Sequence, residues 1–107
     1  MYKIEYLPAA MNDLVEIAEY IGVELDNPGA ADRLADNIAD SVSQLAEQPY
    51  MYPVYIPIKS LKYEYRKIVV GNYDIFYWVD EPCKTVTVAR IIYAGREIDS
   101  VLAVRDR

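Results

Sequence analysis

Histidine is absent from the 107 residues, cysteine occurs once, phenylalanine and tryptophan occur once each, and glycine appears only four times. Without histidine, Ser-His-Asp and Cys-His nucleophilic sites, His-ligated zinc and His-dependent ribonuclease chemistry are all excluded. The single Cys83 can form neither an internal disulfide nor a thiolate cage, which suits a reducing compartment; between Pro82 and Lys84 it reads as an incidental turn residue. The chain carries no phosphate-cradling glycine loop, no metal-ligand cluster and no nucleophile-base pair, so neither a cofactor nor a metal is expected. Long apolar runs are missing as well: Ile75-Phe76-Tyr77-Trp78-Val79 falls far short of the roughly 20 residues that span a bilayer. Met1 to Tyr6 alternates polar and apolar residues instead of pairing a basic start with an apolar run, the pattern of a secretory signal. The expectation is one soluble domain over 1–107, cytoplasmic and without a membrane segment, of a length that buries roughly two-thirds of its unfolded surface in one core.

Basic charge is scarce, and unevenly so. Residues 1 to 57 hold two bases against ten acids, a balance of −8, whereas residues 58 to 107 hold nine bases against seven acids, a balance of +2. Such a chain is repelled by nucleic acid at long range, and any anion site belongs in its second half.

What is present is a clear alternation of patterns. Tyr2, Ile4 and Tyr6 alternate with Lys3 and Glu5, the period of a half-buried strand that stops at Pro8. From Ala9 to about Leu25 the residues Met11, Leu14, Val15, Ala18, Ile21 and Leu25 recur at helical steps, with Asp13, Glu16, Glu19 and Glu24 on the other side as an ordinary solvated face. Asn27 and Pro28 predict a capped restart, and a second helix with the stripe Ala31, Leu34, Ala35, Ile38, Val42 and Leu45 runs to about Glu47. The short connection makes the pair an antiparallel hairpin.

Tyr50 to Pro57 contains two prolines and three tyrosines and reads as a crossing loop whose aromatics cover an end of the core. Three strands are predicted next, Leu61 to Val70, Tyr73 to Asp80 and Thr85 to Tyr93, joined by a Gly71-Asn72 turn and a four-residue loop around Pro82. Tyr73, Ile75, Tyr77 and Val79 read as a core row opposite Asp74, Phe76 and Trp78, although both rows are aromatic and periodicity leaves the choice of face open. Ile98, Val101 and Leu102 suggest a short closing helix before a frayed tail. The fold class is α+β: an N-terminal strand, a helical hairpin, a three-stranded antiparallel meander and a short helical tail, with one sheet face covered by helices and the other left open.

The remaining chemistry is cationic and phenolic: Lys62, Arg66, Lys67, Arg90, Tyr93 and Arg96. Guanidinium and ammonium groups bind phosphate and stabilise developing charge, and a phenol in a cationic pocket can transfer a proton, so such a set could cleave RNA without histidine. Lys62, Lys67 and Arg90 are the candidate substrate-binding cations, and Arg66, Tyr93 and Arg96 the candidate catalytic groups. Arg66, in mid-strand beside the core, should have an anionic partner.

Tyr2-Lys3-Ile4-Glu5-Tyr6 leading into Ala10, Asp13-Leu14 and Tyr20-Ile21, then Ala30-Ala31 through Leu45 and Pro49, Tyr65-Arg66-Lys67-Ile68, Tyr73-Asp74-Ile75-Phe76-Tyr77, and Val86 to Arg96 followed by Leu102, together resemble the RelE/ParE superfamily of toxins from bacterial type II toxin-antitoxin modules. The resemblance covers nearly the whole chain and rests on order and spacing. It implies a small toxin silenced by a cognate antitoxin whose C-terminal segment wraps over it, the two forming a hetero-oligomer. Arg66 falls where the family carries an arginine on its first meander strand, and Arg90 and Arg96 fall in the closing segment, where many members have histidine near the position of Tyr93. The leading activity that the resemblance implies is ribosome-associated cleavage of messenger RNA, as in RelE; the alternatives are non-enzymatic poisoning of DNA gyrase, as in ParE, and an inactive homologue. The acidic balance departs from the strongly basic character of ribosome-entering members, and Tyr93 removes the His-dependent form of cleavage.

Overall fold

A computed structural model describes residues 1–57 and 61–94. The elements are strand β1 (Lys3–Tyr6), helix α1 (Pro8–Glu19) continuing into a π-helical turn (Tyr20–Glu24), helix α2 (Pro28–Ser43) tightening into a 3₁₀ turn (Gln44–Ala46), and strands β2 (Arg66–Val70), β3 (Tyr73–Asp80) and β4 (Thr85–Tyr93). Pro8 opens α1 instead of merely ending β1, because a first-turn residue needs no amide hydrogen and the extended Leu7 before it satisfies proline's steric demand. At α2 the Asn27 side chain accepts the Ala30 amide at 3.1 Å and Pro28 takes the first helical position, as the sequence predicts.

The strands form one sheet in the order β1-β4-β3-β2. The β2-β3-β4 meander is antiparallel, whereas β1 lies parallel to β4 with Lys3 opposite Thr85 and Tyr6 opposite Val88, so the sheet is mixed. Gly71, with φ at +57°, makes the tight β2-β3 turn that leaves Val70 opposite Tyr73. Strand β2 begins at Arg66, five residues later than the predicted Leu61. The segment before it pairs with the proline-rich loop instead, through the Val54–Arg66 bridge and the Tyr55 amide on the Tyr65 carbonyl at 2.8 Å.

Both sheet faces are buried. Against the helices, Ala10, Ile38, Val42 and Leu45 pack on Ile68, Ile75, Tyr77, Val86, Val88 and Ile91, and each fully buried large aliphatic residue contributes about 1.5–3 kcal/mol. The predicted stripe of α1 is rotated: Ala10, Leu14 and Ile17 face the sheet, while Met11, Val15 and Leu25 are exposed. The face expected to be open is covered by the chain entering β2. Tyr63 stacks flat on Trp78 with centroids 3.9 Å apart, Tyr55 meets Phe76 edge-on at 5.2 Å, and Tyr65 is buried beneath them with Phe76, Ala89 and Ile92. The Tyr73, Ile75, Tyr77, Val79 row faces the helices and Phe76 and Trp78 face the loop, which resolves the alternation of β3. The predicted closing helix and tail lie outside the described residues.

Candidate functional site

Beyond Val88 strand β4 has no β1 neighbour, and one extra residue, Ala89, breaks its register with β3: Tyr77 stands opposite Val88 but Phe76 opposite Arg90. Helix α1 covers this unpaired edge. Asp13 accepts the Ile91 amide at 3.0 Å and grips the Arg90 guanidinium at 2.6 and 2.8 Å. The two side chains are only 10% and 12% exposed. Arg90 was expected on a substrate-binding surface; its guanidinium is instead committed to a bidentate ion pair inside the protein. Asp13 was expected on a solvated face. It shares the inward phase of Ala10, Leu14 and Ile17, and that spacing is the signal that finds it.

Arg66 sits on the edge strand β2, two strands across the sheet from β4. Among the described residues its only carboxylate contact is a long one, to Glu64. Nη1 donates to the Tyr52 carbonyl at 2.6 Å, Glu64 approaches only to 4.0 Å, and the guanidinium lies 5.0 Å from the Tyr50 ring centroid. The expected anion is thus present only at long range, and a carbonyl and an aromatic face make the closer contacts. Lys67 lies over the Tyr55 ring at 5.9 Å and Lys62 over the Tyr63 ring at 5.2 Å, both on the aromatic loop face. Arg96 lies outside the described residues.

Tyr93 is at the exit of β4, opposite Tyr73, and 54% exposed. It borders a cleft of about 650 Å³ between α1 with its π-helical turn and the β2-β3 turn. Tyr73 and Tyr93 meet edge-to-face at 5.6 Å. Burial pushes the Tyr73 phenol up, with Tyr93 and Tyr20 adding to the effect. The titratable groups in this lining are phenols and the carboxylates of Asp13 and Glu16; no lysine or arginine borders the cleft among the described residues.

A second polar cluster joins three segments at the β3-β4 turn. The Glu81 carboxylate accepts the Tyr2 and Tyr50 hydroxyls, the latter at 2.6 Å, and the Lys84 ammonium at 2.9 Å. Hydrogen bonds from Tyr2, Tyr50 and Lys84 hold Glu81 down at about 2. The same bond raises the Tyr50 phenol to about 12. Tyr50 in turn lies against Arg66. Sequence patterns do not find this cluster, since Tyr2, Tyr50 and Glu81 are far apart along the chain.

Residues 4–98 match the model of the family described as ParE toxin of the type II toxin-antitoxin system, parDE. Comparison with curated protein sequences found no match. Among solved structures, the chromosomal ParDE toxin-antitoxin system of P. aeruginosa is similar with a TM-score of 0.68 and 18% identity, over 87% of this chain and 96% of that one. The RelBE2 toxin-antitoxin complex of Mycobacterium tuberculosis gives 0.60 and 17%, over 86% and 96%. The isolated E. coli RelE toxin gives 0.61 and 14%, over 97% and 96%. At these identities the structural likeness speaks to the fold, which ParE and RelE toxins share.

Proposed function

Because the chain belongs to the ParE toxin family of type II toxin-antitoxin systems, we propose that it arrests growth by protein contact with its target, in the manner of a DNA gyrase poison, and not by cutting RNA. The observation that carries this reading is the dispersal of the cationic and phenolic groups. Arg90 is closed onto Asp13. Arg66 stands opposite Tyr77 in the middle of β3, and Tyr93 opposite Tyr73 at its start. Four residues at about 3.3 Å each put roughly 13 Å between those positions, whereas groups acting on one phosphate must lie within hydrogen-bond reach of it. The acids beside Tyr93 also disfavour a phosphate there. The match to a ParE family model and the ParDE neighbour support the same side.

The partner of this toxin is a cognate antitoxin, as in the neighbouring toxin-antitoxin complexes. The deciding experiment is induction of the chain with primer extension on cellular messages, alongside a gyrase supercoiling assay on the purified protein. Loss of supercoiling with intact messages is expected. Tyr93→Phe, which keeps the ring and removes only the proton, should leave growth arrest at the wild-type level. Cleaved messages, and arrest abolished by Tyr93→Phe with the fold intact, would overturn the proposal in favour of a ribonuclease.

A further inference from the structure

We infer that the cleft between α1 and the end of β4 receives a cationic side chain, arginine or lysine, set between apolar residues of the protein that silences this toxin; the inference rests on reading the chain as one half of a toxin-antitoxin pair. Two features of the cleft select this occupant. Tyr20, Tyr73 and Tyr93 line it, and Tyr20 and Tyr93 are each about half exposed, so aromatic rings are accessible to a cation in the cleft. Glu16 borders the same space, is exposed, and makes no ion pair among the described residues, whereas Asp13 is already held by Arg90.

Charge complementarity decides between ligand classes. Glu19 and Glu24 follow Glu16 along the same helix and turn, and the first 57 residues sum to −8. A nucleic acid would have to bring phosphates against these carboxylates, which costs affinity at every contact. A peptide carrying Arg or Lys satisfies Glu16 and the rings, and leucine-like neighbours cover the exposed Leu25 and the wall formed by Ile91. At about 650 Å³ the space is in the range of sites that accept a sizeable ligand. Tyr93 becomes a recognition residue in this reading: its ring matters and its proton does not.

The test uses the full chain and the small protein encoded beside it, with affinity measured calorimetrically. Glu16→Lys and Tyr93→Leu should each weaken binding tenfold or more, Tyr93→Phe should bind like wild type, and Glu16→Gln should flatten the salt dependence. Replacing the contacting Arg or Lys of the partner by Glu should restore binding to Glu16→Lys, which a merely structural effect would not do. If the partner binds wild type, Glu16→Lys and Tyr93→Leu equally well, the cleft assignment is wrong while the toxin-antitoxin reading stands. If the wild-type chain neither arrests growth nor binds that protein, the toxin-antitoxin reading fails first. Nuclear Overhauser contacts in the free full-length chain between the cleft tyrosines and the methyls of Ile98 or Leu102 would assign the cleft to the chain's own terminus and overturn the inference. Protection of the cleft that rises with concentration of this chain alone would do so in favour of a second copy.

Discussion

Glu81 gathers more hydrogen bonds than its place in a solvent-facing turn would suggest. Two phenols and an ammonium donate to it, and each bond favours the charged carboxylate, which is why its pKa falls from 4.5 to about 2. The sign of the linkage follows: the unfolded chain binds a proton near 4.5 and the folded chain does not, so the stabilisation is complete above 4.5 and is lost as pH falls towards 2. Tyr50 works in reverse, because its phenol is held protonated to about 12; its contribution is complete below pH 10 and lost as pH rises through 12. Glu81→Gln should therefore flatten the decline of the urea midpoint between pH 4.5 and 2. An unchanged acid slope in that variant would remove Glu81 from the explanation. None of this is legible in the sequence, where Glu81 is one acid in a Glu-Pro-Cys-Lys turn. Only closure of the sheet brings Tyr2 and Tyr50 to it.

Elements carry the next lesson, most plainly where α1 meets β4. An edge strand with free amides invites unwanted pairing, and here the helix supplies a carboxylate in place of a neighbouring strand. Removing one partner of a buried pair leaves the other charge uncompensated, so Asp13→Ala should cost about 3–5 kcal/mol. Asp13→Asn keeps an acceptor for the Ile91 amide and should cost less, and a Leu-Met replacement of Asp13 and Arg90 together should recover part of the loss. Equilibrium urea unfolding measures all three; a cost under about 1 kcal/mol for Asp13→Ala would rule out this role. Among the described residues the four strands and two helices were readable by type, including the Asn27 cap and both hairpin turns. The phase of α1 was not, because Met11 and Val15 offered an equally apolar alternative to Ala10 and Ile17, and the sheet's position picks between them.

Across the whole molecule, the sheet is the middle layer of three, with helices on one side and a tyrosine-rich loop on the other. Strand β3 is flanked by β4 and β2 and covered on both faces, so its amides should be released only by global unfolding. Native-state hydrogen exchange should find the slowest amides at Ile75, Phe76 and Tyr77, with the exposed π-helical turn around Val23 exchanging far faster. Equal protection in the two regions would contradict the layered description. This layering also scatters the cations: Lys62 and Lys67 lie on the loop side, Arg90 is drawn to α1, and Arg66 pairs with Tyr77, four residues along β3 from the Tyr73–Tyr93 pair.

The amino-acid sequence alone determined the element types, the meander, the absence of histidine chemistry, the acidic first half and the resemblance to RelE/ParE toxins, because these depend on local periodicity, turn chemistry and composition. Tertiary structure decided the parallel pairing of β1 with β4, the closure of the second sheet face, the Asp13–Arg90 pair and the Glu81 cluster. Each of these joins residues distant along the chain, and local patterns carry no information about which distant partner a group will meet. A charged side chain is therefore legible as a charge in the sequence, but whether it is a solvated surface group, a buried partner or a recognition residue is set by what the fold places within about 3 Å of it.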